Sequence, residues 1–128
     1  QPGGAVSRGE HPSRAAEREV EEETGLKIKA MNLLSVRHRA FESGEADVFF
    51  LFSAQASADS IASTKLRWDP DEIQEAKFWK LSDALSSSLV RPFTKMCIRM
   101  ALAADAAELH RSPLPEGYEN DDEIFGSA

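Results

Sequence analysis

The chain contains 128 residues, of which 41% are hydrophobic, and carries a formal net charge of −7 at pH 7. This length and composition suit one soluble globular domain with a modest core and exclude a disordered chain. No apolar run approaches the about 20 residues that a membrane-spanning helix needs, and the acidic balance argues against extensive nucleic-acid binding. The lone cysteine, Cys97, cannot close an internal disulfide, which suits the reducing cytoplasm.

The apolar periodicity predicts two helices and three strands. In chain order they are a helix from Pro12 or Ser13 to Gly25, strands at 27–39, 46–54 and 76–81, and a helix from Pro92 to about Leu109. The second strand, ADVFFLFSA, is nearly continuous in apolar residues and should be buried on both faces. Trp79 of the third strand is expected in the core, and Cys97 and Met100 in the buried stripe of the second helix.

The order of these elements predicts an α+β fold or an α/β/α sandwich with a mixed sheet. We expect one domain over residues 1–110, followed by a polar, loosely structured tail over 111–128. The chain does not begin with methionine and opens inside a loop rich in Gly, Pro and charge. An N-terminal part of a longer protein, with any targeting segment, is therefore expected to be missing.

The first helix concentrates carboxylates on one face. At about 100° per residue, with Glu19 as the origin, Glu22 lies near about −60° and Glu23 near about +40°. Glu17 and Glu21 fall near the opposite face, where solvation is expected. Three crowded carboxylates repel one another unless a cation neutralises them, and hard divalent cations such as Mg²⁺ prefer oxygen ligands.

Neighbouring residues can support such a site. Gly4 has no side chain, so a backbone carbonyl there can approach a metal closely. Arg18 is the i, i+4 neighbour of Glu22 and can hold it in place. Glu10, on the preceding loop, can brace Arg18 from outside the helix. A solvated acidic helix would account for Glu21-Glu22-Glu23 alone, but not for glycine, glutamate and arginine at these distances.

The segment Gly4–Leu26 reads GAVSRGEHPSRAAEREVEEETGL, with five residues between Gly4 and Glu10 and seven between Glu10 and Arg18. It resembles the Nudix box, G-x5-E-x7-R-E-U-x-E-E-x-G-U with U bulky and apolar, at every fixed position. The preceding Pro2-Gly3-Gly4 resembles the stretch that leads into this box. ADVFFLF, RHRAFESGE and LPEGY also resemble a plant and animal Nudix subgroup that includes the fibroblast-growth-factor antisense-encoded protein.

The resemblance implies an α/β/α sandwich with a mixed sheet, N-terminally truncated because members usually have strands before the box. It implies Mg²⁺- or Mn²⁺-dependent hydrolysis of a pyrophosphate bond in a nucleoside diphosphate linked to another moiety, with ADP-ribose or an NADH-like molecule favoured. Glu19, Glu22, Glu23 and Gly4 would hold the metal, and Glu19, Glu22 and Arg18 would act in catalysis. Which glutamate is the general base stays open.

Residues beyond the box extend the predicted site. A fourth carboxylate from a later loop often helps in this family, and Glu72 and Glu75 are candidates, although solvated loop glutamates are the more frequent case. Trp68 can stack on a base or pack as a loop anchor. His38 and its neighbouring arginines can meet a substrate phosphate, or lie solvated at the end of a strand.

Three classes of function follow from these patterns. The favoured one is a pyrophosphohydrolase acting on a nucleotide-derived small molecule, without a membrane partner. The second is a catalytically weak binding or regulatory module with the Nudix fold. An acidic interaction domain of unrelated fold would require the box to be accidental. A homodimer is compatible with the sequence, which carries no specific sign of one.

Overall fold

The computed structural model describes residues 1–71, 73–103, 110–112 and 123–126. Its elements are α1 (Pro12–Thr24), β1 (Ile28–Ala40), β2 (Ala46–Ala56), α2 (Ala58–Ser63), α3 (Leu81–Ser86), α4 (Pro92–Leu102), β3 (His110–Ser112) and β4 (Glu123–Gly126). Helices together with a sheet confirm the α/β class. In this described part, no helix is both long enough and apolar enough to cross a membrane.

The bounds of α1 follow from its terminal residues and confirm the prediction. Pro12 stands in the first turn, where its missing N–H costs no hydrogen bond. Gly25 ends the helix in the left-handed region, at φ 74°, and its N–H donates to the carbonyl of Glu21 at 2.8 Å. Ala15 is buried on the inner side of the helix. Local residue chemistry therefore sets where the acidic helix begins and ends.

The chain divides into two compact units, residues 1–31 with 54–79, and residues 32–53 with 80–128. In the first unit, the end of α1 and the residues that follow it are held by hydrogen bonds from α2 and from the segment after α2. The Arg67 N–H donates to the Thr24 carbonyl at 3.1 Å, and the Ser60 hydroxyl donates to the Lys27 carbonyl at 3.0 Å. Both hydrogen bonds lie just after Glu21-Glu22-Glu23 in the chain. They therefore hold the C-terminal end of α1 in place.

The second unit contains the larger part of a four-stranded sheet with the order β2-β1-β4-β3. The β1–β2 hairpin closes where the Phe41 N–H donates to the Glu45 carbonyl at 2.9 Å. The pairs β1–β4 and β3–β4 are antiparallel, with Val36 opposite Phe125 in the first. The described pairs are thus antiparallel where the sequence predicts a mixed sheet. In α4, Cys97 and Met100 are buried as predicted, and burial raises the pKa of the Cys97 thiol to about 11.

Three predictions of secondary structure and burial are wrong. The predicted burial of β2 on both faces is not found, since residues 46–50 are exposed; β2 also stands at one end of the described strand order. Residues 75–80 form no strand, and the Trp79 ring is 40% exposed. Within the segment predicted as a polar tail, 111–128, the described residues 111–112 and 123–126 pair as strands. The predicted end of the second helix at Leu109 lies outside the described residues, as does LPEGY.

Glu17 also departs from its predicted solvated position. Its carboxylate accepts a hydrogen bond from the Ala30 N–H at 3.0 Å and another from Arg14 at 2.6 Å, and its side chain is 19% exposed. The Ala30 N–H, followed by Arg14, holds the pKa of Glu17 below its ordinary value. Glu17 therefore joins α1 to β1, whereas Glu21 is exposed as predicted, with Lys27 at 3.5 Å.

Replacing Glu17 with alanine should lower the free energy of unfolding by about 1–3 kcal/mol, because the Ala30 N–H loses a charged acceptor. Glu21→Ala, on the exposed side of the same helix, should change it by less than about 0.5 kcal/mol. Urea denaturation of both variants and the wild type measures the difference. Equal stability of the two variants would contradict the structural role of Glu17.

The same comparison has an expected pH dependence. A carboxylate whose pKa is lower in the folded state stabilises the protein above its unfolded-state pKa, and this contribution disappears as the pH falls through the folded-state value. The stability advantage of the wild type over Glu17→Ala should therefore be full at neutral pH and shrink below pH 4.5. Urea titrations at neutral pH and in acid measure this change, and an advantage that grows in acid would be inconsistent with it.

Candidate metal and catalytic site

Arg18 is the centre of the polar network on α1. Its Nε and Nη2 donate to the two carboxylate oxygens of Glu10 at 3.1 and 3.2 Å. Its Nη1 donates to Glu19 at 2.7 Å and to Glu22 at 3.1 Å, and its Nη2 also donates to the Ala5 carbonyl at 3.0 Å. These bonds raise the pKa of Arg18, those to Glu10 and Glu19 most. One guanidinium therefore joins the N-terminal loop to the acidic face.

Glu10 anchors the loop that precedes the helix. Its carboxylate accepts from the Ser7 N–H at 3.0 Å, and its own N–H donates to the Ser7 carbonyl at 3.0 Å. Arg18, followed by the Ser7 N–H, lowers the pKa of Glu10, so this carboxylate stays charged at neutral pH. The geometry agrees with a bracing role for Glu10, whose carboxylate is occupied on both oxygens.

Gly4 lies directly against the carboxylate of Glu19. A Cβ atom built on Gly4 would stand 2.3 Å from the Glu19 Cδ, far inside van der Waals contact. The Glu19 side chain is only 15% exposed. The absence of a side chain at position 4 therefore creates the space that Glu19 occupies. This is a different physical reason for glycine from the predicted carbonyl approach to a metal, and the two are compatible.

Glu22 and Glu23 differ in their surroundings. The Glu22 side chain is 61% exposed and touches Arg18 with one oxygen. One oxygen of Glu23 accepts from the Gly3 N–H at 3.2 Å. Within residues 1–71 and 73–103, no group of three or more His, Cys, Asp or Glu side chains is already gathered as a metal-binding cluster. Glu19 and Glu22 converge on Arg18 instead, while Glu23 turns towards the Gly3 amide.

The acidic face borders an open cleft. Its volume is about 540 Å³, and its lining residues are Arg18, Glu21, Glu22, Arg67 and Trp68. Arg67 passes over Gly25, where a Cβ atom would stand 3.1 Å from the Arg67 Nε. Sequence reasoning considered Trp68 but missed Arg67. Gly25 permits another chain segment to approach closely, but nothing in the sequence indicates that this segment contains Arg67.

The other residues predicted for the site either lie away from the cleft or fall outside the residues that the structure describes. Glu75 makes an exposed ion pair with Lys77 at 2.9 Å and does not line the cleft. Glu72 lies outside the described residues. His38 is exposed on β1, opposite Glu123 in the β1–β4 pairing. Of the two arginines beside it, Arg37 lies over the Phe93 ring at 5.1 Å from the centroid.

Comparisons with known proteins agree with the geometry. A profile of the NUDIX domain family matches residues 1–97. The chain is also 30% identical over 106 residues to a protein of Arabidopsis thaliana named Nudix hydrolase 6. That alignment covers 77% of this chain and 36% of the plant protein. The chain therefore spans about a third of the length of this relative.

Replacing Arg18 with lysine should loosen the loop at residues 5–10, because an ammonium cannot reproduce the fork that binds Glu10 and the Ala5 carbonyl together. Amide hydrogen exchange at Ser7 should become faster by about tenfold, which corresponds to roughly one lost hydrogen bond. Arg8→Lys is the matched control, since Arg8 is exposed on the same loop. Unchanged exchange in Arg18→Lys would show that Arg18 does not hold the loop.

Proposed function

The chain belongs to the Nudix family, and we propose that its acidic helix catalyses hydrolysis of the pyrophosphate bond in a nucleoside diphosphate linked to another moiety. The observation that carries this proposal is the Arg18 network, which holds Glu19 against Gly4 of the glycine loop and also contacts Glu22. A helix held only for stability would not need to keep like charges together at this cost. The favoured substrates, ADP-ribose or an NADH-like dinucleotide, follow from the resemblance described above.

The residues present suit a hard divalent cation, Mg²⁺ or Mn²⁺. Glu19, Glu22 and Glu23 supply carboxylate oxygens, and the space over Gly4 admits the Glu19 carboxylate. These three glutamates, with the backbone of Gly4, would hold the ion. When bound, a divalent cation polarises the phosphoryl oxygens and stabilises the leaving group.

Glu19, Glu22 and Arg18 have different roles in the proposed reaction. Glu19, poorly exposed and held by Arg18 at 2.7 Å, has a fixed position suited to a ligand. Glu22 is the most exposed of the three, and its contact with Arg18 is an exposed surface ion pair, a weak type of interaction. It can therefore turn to orient an attacking water and accept its proton. Arg18 positions both carboxylates, and its remaining bonds to Glu10 and Ala5 keep it in place while Glu22 moves.

A binding or regulatory module is the second candidate. The observation that favours it is that the described carboxylates are not gathered into a ready metal cluster. The complete set of box glutamates favours the enzyme, because a protein that only binds nucleotides has no need for all of them. Assays with ADP-ribose, NADH and a nucleoside triphosphate, each with Mg²⁺ or Mn²⁺, separate the two. Nucleotide binding without turnover of any of them would select the module.

Glu22→Gln and Glu23→Gln should each reduce kcat by roughly 10²-fold or more, because a neutral amide is a poor ligand and a poor base. Both should also weaken Mn²⁺ binding, measured by electron paramagnetic resonance without substrate. Glu42→Gln, in the exposed turn after β1, is the control and should behave like wild type. Normal rates in both glutamine variants would overturn the assignment of these residues.

Gly4→Ala should lower activity by about 10²-fold, because the new methyl group displaces the Glu19 carboxylate and small misplacements of catalytic groups are costly. Stability should change little, since the displaced atoms are the far end of a flexible side chain. Val6→Ala, at an exposed position of the same loop, should leave both quantities unchanged. Thermal unfolding and turnover are measured in parallel. Full activity of Gly4→Ala would contradict a fixed Glu19.

A further inference from the structure

The cleft beside the C-terminal half of α1 has the composition of a nucleotide-binding site. We propose that it holds the nucleoside diphosphate part of the substrate, with the Trp68 indole stacked on the base and the Arg67 guanidinium paired with a phosphate. This inference rests on the proposed hydrolysis for the identity of the ligand. Arg67 and Trp68 would recognise the nucleoside diphosphate, which the glutamates cannot do.

The cleft is placed to deliver a ligand to the acidic face. Glu22 and Arg18 line it together with Arg67 and Trp68, so a molecule bound there lies against a glutamate of the box. Its volume of about 540 Å³ lies within the range of small-molecule sites, roughly 300–1,000 Å³. The lining combines one aromatic ring with charges of both signs, which a base joined to phosphates would match better than an apolar ligand would.

Trp68 presents an aromatic surface that is still accessible. About a third of the residue is exposed, at 36%, within the cleft. The other tryptophan, Trp79, lies outside the cleft and carries the Lys77 ammonium 4.4 Å from its ring centroid. An accessible indole stacks on any nucleobase, because every base has a π face. Trp68 is therefore the ring available to a base, and Trp79 is a natural control.

Arg67 supplies the positive charge that an anionic substrate needs near so many carboxylates. Its N–H is bound to the Thr24 carbonyl at 3.1 Å, and its side chain crosses Gly25. Unlike Arg18, it has no ion pair among the residues that the structure describes, so its donors are available to a phosphate. Guanidinium groups bind phosphate oxygens through two parallel hydrogen bonds. The attachment to the end of α1 orders this residue and its neighbour Trp68 before the ligand arrives.

Fluorescence of two single-tryptophan proteins tests the stacking directly and needs no turnover. The chain has two tryptophans, so Trp79→Phe reports Trp68 alone and Trp68→Phe reports Trp79 alone. ADP should quench the emission of Trp79→Phe in a saturable manner and leave that of Trp68→Phe unchanged. Methyl diphosphate, which has no ring, should quench neither protein. No saturable quenching of Trp68 by ADP, or equal quenching of both proteins, overturns the proposal.

Steady-state kinetics tests the same cleft in the active protein. Trp68→Ala should raise the KM for ADP-ribose by about tenfold to hundredfold, the usual effect of losing one base stack, with kcat within about twofold. Trp68→Phe should recover most of the loss. Arg67→Gln should raise the KM for ADP-ribose and for a ring-free diphosphate ester alike. Unchanged KM values in Trp68→Ala and Arg67→Gln overturn the assignment.

The two proposals fail in different ways. Saturable quenching of Trp68 by ADP without hydrolysis of any nucleotide leaves the cleft assignment standing and contradicts the proposed enzyme. Hydrolysis that depends on Glu22, together with no quenching of Trp68 by ADP, supports the enzyme and overturns the cleft assignment.

Discussion

The repulsion among the carboxylates of α1 is the constraint on which the rest of the candidate site depends. Arg18 compensates it by holding Glu10, Glu19 and Glu22 with one guanidinium. The same group binds the Ala5 carbonyl, so charge compensation and loop placement come from a single side chain. A lysine could supply the charge but not the planar fork. The position of the glycine loop is therefore coupled to the electrostatics of the helix.

Two glycines allow α1 to be approached closely at both ends of its acidic stretch. Gly4 leaves room for the Glu19 carboxylate, and Gly25 leaves room for the Arg67 side chain. Of these two glycines, only Gly25 has a left-handed backbone, which residues with a side chain adopt at an energetic cost. The two contacts differ in kind: Gly4 meets the end of the Glu19 side chain, which Arg18 holds, whereas Arg67 at Gly25 is held through its backbone N–H.

The parts of the structure that local chemistry determines could be predicted from the sequence. Pro12 and Gly25 fix the helix ends, and the i, i+4 spacing places Arg18 against Glu22, as the structure confirms. Burial could not be predicted as well, because it depends on which strands are neighbours. The apolar run of β2 has one strand neighbour in the described sheet, and part of it is exposed.

Contacts between segments that are distant in the sequence could not be predicted from the residue pattern either. Helical angles place Glu17 opposite the face of Glu19, Glu22 and Glu23, but they do not predict the hydrogen bond that Glu17 accepts from the Ala30 N–H. Arg67 carries no motif, and only the fold brings it to Gly25. The Nudix box could be recognised because its residues are concentrated in one continuous loop and helix, whereas the cleft brings together residues far apart in the chain.

The buried thiol of Cys97 has a consequence for how the second unit can be observed. With a pKa of about 11, only about one thiol in 10⁴ is ionised at neutral pH, and thiolate is the form that alkylating reagents attack. In the folded protein, burial on α4 also blocks the reagent. The chain has no other cysteine. The rate of Cys97 alkylation therefore measures how often α4 opens transiently, and the measurement needs no introduced label.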